Sequence, residues 1–380
     1  MNIEAYLEVK KRAGSELSLD SIKEVDEAFG FPSKQYRTIH VTGTNGKGSV
    51  STTIATTLTS QGYKTGLFTS PHISTFRERI VIDGEMISET DALSLLNEIL
   101  EVSKMITFFE VMTMMAFLYF QRKQVDYAVI EVGMGGDKDA TNIIEPIVSV
   151  LTNITSDHLE ILGPTLDDVA KTKAGIIKRN VPVVIGPRAA RKPVLARAFQ
   201  QKAPIYFVKE FDQALEENQA IAHRALKVIN PYTDFVLSTK VPPCRFELHT
   251  IDKIPFIFDV AHNIDGLERL FFRVKETFPT KKIFTIFALS AGKDLENIIP
   301  LLSKESDDLY FMKHEHPRLA RKEEIENHLG FLGDSSIEAF IEKAREENGI
   351  VLITGTFFIM GPMKKILGLE EIRDPILLYD

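Results

Sequence analysis

The amino-acid sequence predicts an α/β protein of two domains, an N-terminal domain with a P-loop-type parallel sheet and a smaller C-terminal Rossmann-like α/β domain. Its 380 residues are too many for one ordinary hydrophobic core. From about Thr38 onward, short β-branched runs alternate with helical patterns, which is typical of a parallel sheet covered by helices. The alternation breaks near residues 237–244 and then resumes. We therefore expect domains over residues 1–238 and 239–380.

The predicted strands are short apolar runs bounded by Gly, Asn or Pro. They cover residues 37–41, 126–132, 147–152 and 181–185 in the first domain, and residues 246–251, 254–260, 283–289, 308–312 and 350–354 in the second.

Helical patterns lie between these runs. Val50, Ile54 and Leu58 recur every four residues before Gly62, which predicts an amphipathic helix with a glycine stop. Residues 108–120 are apolar except for Glu110 and are fewer than the roughly 20 that a membrane span needs, so we expect a buried helix there. Residues 165–168 resemble a capping box that opens another helix.

Composition narrows the class of protein. The chain is 44% hydrophobic and 26% charged, as soluble globular proteins are. Its net charge of −8 comes without a basic block, which argues against a nucleic-acid partner. Cys244 is the only cysteine, so an intrachain disulfide is excluded and a reducing compartment is favoured. We expect a cytoplasmic monomer that has no membrane partner.

A glycine-rich loop at residues 42–49 joins a predicted strand to a predicted helix. In such loops backbone N–H groups and the helix dipole bind phosphate. We expect Lys47 to bind the β/γ-phosphates and Ser49 to coordinate Mg²⁺. Walker A spacing is not met, so a tight turn with an incidental lysine is the alternative. The predicted nucleotide ligands in the loop are Gly43, Thr44, Asn45, Gly46, Lys47, Gly48 and Ser49.

The loop sequence Thr-Gly-Thr-Asn-Gly-Lys-Gly-Ser resembles the nucleotide loop of folylpolyglutamate and dihydrofolate synthases, a branch of the Mur ligase superfamily. The similarity continues in order over roughly residues 38–360, in the motifs Ser70-Pro-His72, Glu78-Arg-Ile80, Phe108-Phe-Glu110, Glu131-Val-Gly-Met-Gly-Gly136, Asp139-Ala-Thr-Asn142, Ser156-Asp-His158, Lys173-Ala-Gly-Ile176, Arg245-Phe-Glu247, Asp259-Val-Ala-His-Asn263 and Thr354-Gly-Thr356. The resemblance implies a P-loop ATPase domain and a glutamate ligase domain. It implies ATP-dependent ligation of L-glutamate to folates, and also to dihydropteroate, through an acyl phosphate.

Two Mg²⁺ ions are expected beside the phosphate loop. Glu131 ends a predicted parallel strand, at the edge where open α/β sheets bind ligands, and His158 follows the next strand. A carboxylate and an imidazole there suit a second metal. The resemblance implies that Lys173 is carbamylated and completes a metal set with Ser49, Glu131 and His158. By residue type alone, Glu131 is nearly as well explained as a plain strand-end carboxylate, whereas His158 is better explained as a loop histidine and Lys173 as a solvated lysine.

The resemblance also implies the substrate contacts. Ser70, Pro71 and His72, with Arg79 nearby, would form a loop over the pterin. Phe109 and Ala140 would line its pocket, and Asp139 would lie at the pocket's polar edge. By residue type alone, Phe109 is equally a core residue.

In the second domain Arg245 would meet phosphates, and Asp259 and His262 would lie near the nucleotide and the incoming glutamate. Thr356 is a further substrate contact, and Asn218 of the first domain is a further nucleotide contact. The implied catalytic residues are Lys47, His158, Lys173 and His262.

Departures from the family pattern leave some geometry open. Cys244 and Val260 stand where the family has glycines. Residues 186–241 are few for the family, so a small antiparallel piece is expected to be missing. Two other functions remain alternatives: a Mur ligase acting on a UDP-linked cell-wall precursor, and a non-catalytic ATP-binding regulatory module.

Overall fold

The computed structural model describes residues 18–104, 106–157, 159–313, 316, 318–329 and 336–369. The chain divides into two compact units, with the boundary between Pro242 and Pro243. Each unit contains a largely parallel sheet on which helices pack. The predicted α/β fold class is confirmed.

The first unit contains an eight-stranded sheet in the order β4-β3-β2-β5-β1-β6-β7-β8. Most pairs are parallel, and β3 pairs antiparallel with both β2 and β4 at one edge. The strands are β1 (Arg37–Thr42), β2 (Thr65–Phe68), β3 (Ile80–Ile82), β4 (Glu85–Met86), β5 (Tyr127–Glu131), β6 (Val148–Leu151), β7 (Val183–Ile185) and β8 (Ile205–Phe207). Since β1 lies between β5 and β6, the segments that follow these three strands emerge at the same sheet edge. Residues 186–241 add one strand to this sheet, β8, which pairs parallel with β7.

Helices cover the two faces of this sheet. Those described are α1 (Asp20–Ala28), α2 (Lys47–Ser60), α3 (Glu89–Val102), α4 (Phe108–Arg122), α5 (Leu159–Leu162), α6 (Leu166–Lys173), α7 (Lys192–Gln200) and α8 (Ala214–Ile229). Fully buried Phe117 and Phe120 of α4 pack in one core cluster, and Val50 and Ile54 of α2 pack with α8 in another. None of the described helices has the length and apolarity needed to cross a membrane.

Capping explains the polar residues that open two of these helices. Glu110, the one charge in the apolar run, closes a capping box at the start of α4 by accepting from the Thr107 N–H at 2.7 Å. The predicted box at the start of α6 is also present, with Thr165 as N-cap and Asp168 as its partner. Carboxylates at these helix starts are further stabilised by the helix dipole.

The second unit has a five-stranded sheet in the order β12-β11-β13-β10-β9, in which only β9 runs antiparallel to its neighbour. Its strands are β9 (Glu247–Ile251), β10 (Ile254–Phe258), β11 (Ile283–Phe287), β12 (Asp308–Phe311) and β13 (Ile350–Thr354), and its helices are α9 (Ile264–Thr277), α10 (Leu295–Glu305), α11 (Lys322–Leu329), α12 (Ile337–Glu346) and α13 (Met360–Ile366). Asp252 and Lys253 both have positive φ, as the tight turn between β9 and β10 requires. Asn263 caps α9 by accepting from the Gly266 N–H at 2.9 Å.

Candidate active site

The glycine-rich loop joins β1 to α2, as predicted from the sequence. Gly46 has φ 83 and is the residue at which the chain turns into the helix. The ammonium of Lys47 lies over the loop, donating to the carbonyl oxygens of Gly43 and Thr44 at 3.2 Å each. The first N–H groups of α2 have no partner within the helix, and the helix dipole is positive there. This arrangement suits a bound phosphate.

Not every N–H group of the loop is available to a phosphate. Thr44 donates its N–H to the backbone oxygen of Asn153 at 2.9 Å, and Asn45 donates its N–H to Asn153 Oδ1 at 2.8 Å. These two N–H groups are therefore engaged within the protein, and the nucleotide contacts of Thr44 and Asn45 stay predictions. The N–H groups from Gly46 onward are left for the ligand. The sequence prediction missed Asn153.

Asn218, whose sequence surroundings match the family poorly, lies against the loop. A Cβ placed on Gly46 would be 2.4 Å from Asn218 Oδ1, so only glycine leaves room for this amide. The position of Asn218 on α8 is supported by the preceding residue, because buried Glu217 pairs with Arg188 at 3.3 Å. The side chain of Asn218 thus lies beside the residue at which the phosphate loop turns into α2.

Glu131 is the last residue of β5 and is buried. Its carboxylate faces the first turn of α2: a Cβ on Gly48 would lie 3.5 Å from Oε2, and buried Ser49 is the next residue. The backbone N–H of Ser70 donates to the same Oε2 at 3.2 Å. A carboxylate and a hydroxyl beside a phosphate loop are the oxygen ligands that Mg²⁺ prefers, so these residues fit the expected metal.

The structure gives less information on the other predicted metal ligands. His158 lies outside the described residues. Within the part of the chain that the structure describes, no three His, Cys, Asp or Glu side chains form a cluster of the kind that holds a metal.

Lys173, which residue type alone would place in solvent, is only 4% exposed at the end of α6. Its Nζ donates to the carbonyl oxygen of Gly43 at 2.8 Å, so it lies directly beside the phosphate loop. Burial, and to a lesser extent the ammonium of Lys47, lowers the pKa of Lys173 to about 7. A large fraction of this lysine is therefore the neutral amine near neutral pH.

The predicted substrate loop is organised by its own carboxylate and by Arg79. Glu78 accepts hydrogen bonds from the backbone N–H groups of residues 73, 74 and 75 at 2.8–2.9 Å. Arg79 is only 1% exposed, and its Nε–H donates to His72 Nδ1 at 2.8 Å. The structure thus places Arg79 behind His72, where it fixes the ring of that residue. Pro71 is exposed, and Ser70 and His72 are half-buried.

Phe109 packs against apolar groups, whereas Asp139 is surrounded by hydrogen-bond donors. Phe109 is half-buried, packs against Phe68 with ring centroids 5.9 Å apart, and fills the space that a Cβ on Gly133 would need. Asp139 is buried and accepts from the N–H and hydroxyl of Thr141 at 3.0 and 2.5 Å and from the Met134 N–H at 2.9 Å.

Burial raises the pKa of Asp139 despite these hydrogen bonds. The carboxylate thus holds its own loop together, and its place at the polar edge of the pterin pocket stays a prediction. Ala140, the other predicted lining residue of this segment, is buried.

In the second unit, Asp259 organises the segment that contains Arg245. Its two oxygens accept from the N–H groups of Phe246 and Ala261 at 2.8 and 2.9 Å. Burial raises the pKa of Asp259, although the Arg245 guanidinium opposes the rise. Arg245 lies over the Phe357 ring, 5.2 Å from its centroid.

His262 and Thr356 lie at the ends of β10 and β13. The carbonyl oxygen of Val260 is 2.9 Å from His262 Nδ1, and because a carbonyl only accepts, this nitrogen carries a proton. Thr356 is buried, and its hydroxyl is 3.1 Å from that of Ser290.

Comparison with known proteins identifies the family. Residues 41–229 match the Mur ligase middle domain, and residues 244–357 match the Mur ligase glutamate ligase domain. The dihydrofolate synthase/folylpolyglutamate synthase of Bacillus subtilis is 30% identical over 421 residues, covering 96% of this chain and 98% of that protein. The folylpolyglutamate synthase of Lacticaseibacillus casei is 34% identical over 396 residues, covering 90% and 92%.

This chain belongs to the folylpolyglutamate synthase and dihydrofolate synthase family. It is therefore an ATP-dependent ligase of the Mur ligase type, and the resemblance found in the sequence is confirmed. The family assignment favours a folate enzyme over both a ligase of cell-wall precursors and a non-catalytic ATP-binding module.

Solved structures of the family support the same assignment. Escherichia coli FolC in complex with DHPP and ADP has a TM-score of 0.87 at 26% identity and covers 96% of each chain. A bifunctional folylpolyglutamate synthase/dihydrofolate synthase with Mn, AMPPNP and L-glutamate bound has a TM-score of 0.84 at 26% identity, covering 96% of this chain and 98% of that one.

Proposed function

We propose that this enzyme joins the amino group of L-glutamate to the carboxylate of folates and of dihydropteroate, at the cost of one ATP. One observation carries the proposal: Glu131 faces the first turn of the phosphate-loop helix and accepts from Ser70 of the substrate loop. The proposed phosphate loop, the proposed metal-binding carboxylate and the proposed substrate loop would thus act together at one sheet edge. A ligase that activates a carboxylate with ATP needs these three elements side by side.

The chemistry has two steps. The substrate carboxylate oxygen attacks the γ-phosphorus of ATP, ADP leaves, and an acyl phosphate forms. The glutamate amine then attacks the acyl carbon, its proton is lost, and phosphate leaves with the electrons of the broken C–O bond. The Lys47 ammonium and the N–H groups at the start of α2 would stabilise the charge on the transferring phosphoryl group.

We assign nucleotide and glutamate contacts to the second unit as well. Arg245 is a fixed, stacked cation suited to phosphate or carboxylate. The Val260 carbonyl fixes the orientation of the His262 ring through Nδ1, and we assign this histidine to the incoming glutamate. Asp259 holds the backbone around both residues, and Thr356 would contact glutamate.

Divalent metal binding is assigned first to Ser49 and Glu131. Bound Mg²⁺ would neutralise phosphate charge during transfer. For a second ion we propose Glu131, His158 and a carbamate on Lys173. The neutral amine of Lys173 would bond to CO₂ and release a proton, which converts a repelling cation into an oxygen ligand. The position of its Nζ beside Gly43 supports this assignment.

Labelled bicarbonate tests the carbamate without relying on turnover. The wild-type enzyme should show a carbamate carbon signal in ¹³C NMR that Lys173→Ala lacks. The same variant should be inactive and should regain part of its activity with added formate or acetate. A bare lysine in the wild type, or full activity of Lys173→Ala without rescue, would contradict the assignment.

On the folate side, Ser70, Pro71 and His72 would cover the pterin, with Phe109 and Ala140 beside it. ADP formation with tetrahydrofolate and with dihydropteroate, each with and without glutamate, tests both activities. We expect glutamate-dependent ADP release with each substrate. Glutamate-dependent ADP release with tetrahydrofolate but not with dihydropteroate would restrict the enzyme to polyglutamylation. Absence of such release with either substrate would overturn the proposal. We further expect a cytoplasmic monomer. Sedimentation analysis of the purified enzyme would test the oligomeric state.

A further inference from the structure

The phosphate loop rests on a segment that no sequence motif singles out, the two residues that follow β6. The pairing of β1 with β6 continues past both strands, because Thr152 donates its N–H to Thr42 and Thr44 donates its N–H to Asn153, both at 2.9 Å. The Thr44 hydroxyl bonds in turn with the N–H and carbonyl of Thr155 at 3.1 and 3.2 Å. The first half of the loop is thus an extension of the sheet.

Two buried side chains then hold the peptide groups of Asn45. Asn153 Oδ1 accepts from the Asn45 N–H at 2.8 Å, and the Thr152 hydroxyl donates to the Asn45 carbonyl at 2.6 Å. Hydrogen bonds to both the N–H and the carbonyl leave Asn45 little freedom to rotate. The next residue, Gly46, is where the loop turns toward the ligand.

Thr152 also explains the glycine that begins the loop. A Cβ on Gly43 would lie 1.8 Å from Thr152 Oγ1 and 3.1 Å from the Asn153 backbone nitrogen. No larger residue fits at position 43 while Thr152 occupies its place. Gly43 and Thr152 are therefore a matched pair, although 109 positions separate them in the sequence.

We propose that Thr152 and Asn153 are positioning residues that hold the phosphate loop in its nucleotide-binding shape before ATP arrives. They turn the N–H groups of Thr44 and Asn45 away from the ligand and leave those from Gly46 onward to meet the phosphates. A loop that is ordered in advance loses less conformational freedom on binding, so the affinity for the nucleotide rises. The inference rests on the proposed binding of ATP at this loop.

Two matched variants at position 152 distinguish the effect of the hydrogen bond from Thr152 to Asn45 from the effect of side-chain packing. Thr152→Val keeps the shape and removes the hydroxyl, whereas Thr152→Ser keeps the hydroxyl and removes a methyl group. Asn153→Ala removes the second contact independently. For each, the Kd of Mg·ADP is measured by calorimetry, hydrogen exchange is followed at the Thr44 and Asn45 amides, and KM is determined for ATP and for the folate substrate.

We expect Thr152→Val and Asn153→Ala to bind Mg·ADP about tenfold more weakly, which corresponds to about 1.4 kcal/mol, and Thr152→Ser to stay within about threefold of wild type. Exchange at the Thr44 and Asn45 amides should accelerate in the first two variants only, and KM should rise for ATP rather than for folate. Equal ADP affinity in Thr152→Val and Thr152→Ser, or unchanged exchange at these amides, would overturn the proposal. ADP binding needs no folate turnover, so failure of this inference is distinguishable from failure of the proposed function.

Discussion

Replacing Glu247 by glutamine tests how the second unit holds the segment that contains Arg245. The Glu247 carboxylate accepts from the Cys244 N–H at 2.8 Å, from His249 Nε2 at 2.6 Å and from Lys364 Nζ at 3.0 Å. Burial alone would raise the pKa of Glu247, but these hydrogen bonds and the Lys364 charge outweigh it and lower the value to about 2. Glu247 thus joins the turn before β9 to α13.

The lowered pKa of Glu247 determines how much its carboxylate contributes to stability and how that contribution changes with pH. Against the ordinary value of 4.5, a pKa of about 2 corresponds to about 3 kcal/mol of stability contributed by the ionised carboxylate. Because the folded-state pKa is depressed, this stability is fully present above pH 4.5 and is lost as the pH falls toward 2. We therefore expect Glu247→Gln to destabilise the second unit by about 2–3 kcal/mol at pH 7 and by much less at pH 3.

Urea unfolding of the wild type and the variant at pH 7, 5 and 3 measures this difference. Glu342→Gln is the matched control, since Glu342 pairs with Arg345 within α12 but its side chain is 51% exposed. Exposed pairs of this kind contribute at most about 0.5 kcal/mol. If Glu247→Gln costs no more than Glu342→Gln at pH 7, or costs the same at pH 3 as at pH 7, the reasoning is wrong.

Three further substitutions test individual sites. Lys47→Ala should reduce kcat/KM by more than tenfold, because it removes the ammonium over the loop. This corresponds to a loss of at least about 1.4 kcal/mol of transition-state stabilisation, and retention of more than a tenth of wild-type kcat/KM would contradict the role of Lys47. His72→Ala should raise the KM for the pterin substrate far more than that for ATP, and equal effects on both would count against the substrate loop. Asn263→Ala should lower the free energy of unfolding of the second unit by about 1 kcal/mol, because α9 loses its N-cap; an unchanged urea midpoint would exclude that role.

Strand prediction succeeded for β1, β5, β6 and β7 of the first unit and for β9 to β13 of the second. The core strands of both units lie within one or two residues of the predicted ends, but β2, β3, β4 and β8 were missed. Gly66 interrupts the apolar pattern of β2 because the Phe120 ring occupies the place of its side chain, 2.8 Å from where a Cβ would be. Asp83 and Gly84 both have positive φ, and the sequence Asp-Gly is typical of a hairpin turn. The two strands that flank this turn were missed because they have only three and two residues.

The site was predictable where its signal is local. The loop from Gly43 to Ser49 and the strand-end position of Glu131 follow from neighbouring residues alone. The contacts of Asn153 with this loop depend on β1 lying beside β6, and that strand order is a property of the whole sheet. The burial of Arg79 and its contact with His72 likewise depend on tertiary packing.

Both glycine departures in the second unit are accommodated. Cys244 adopts φ 54, so the left-handed conformation that favours glycine is kept by a buried cysteine, at a cost of roughly 1 kcal/mol. Val260 keeps a negative φ, and its N–H donates to the Cys244 carbonyl at 3.1 Å. The Val260–Cys244 bond thus joins the segments that contain Arg245 and Asp259.

The most direct test of the proposed function is to follow isotope-labelled L-glutamate into product together with ADP. The purified enzyme is incubated with ATP, Mg²⁺, labelled glutamate and tetrahydrofolate, and the folate product is identified by mass spectrometry. We expect one labelled glutamate joined by an amide bond for each ADP formed, and product formation reduced by more than tenfold with Lys47→Ala. ADP formation without labelled folate, or labelled folate without ATP, would contradict the account.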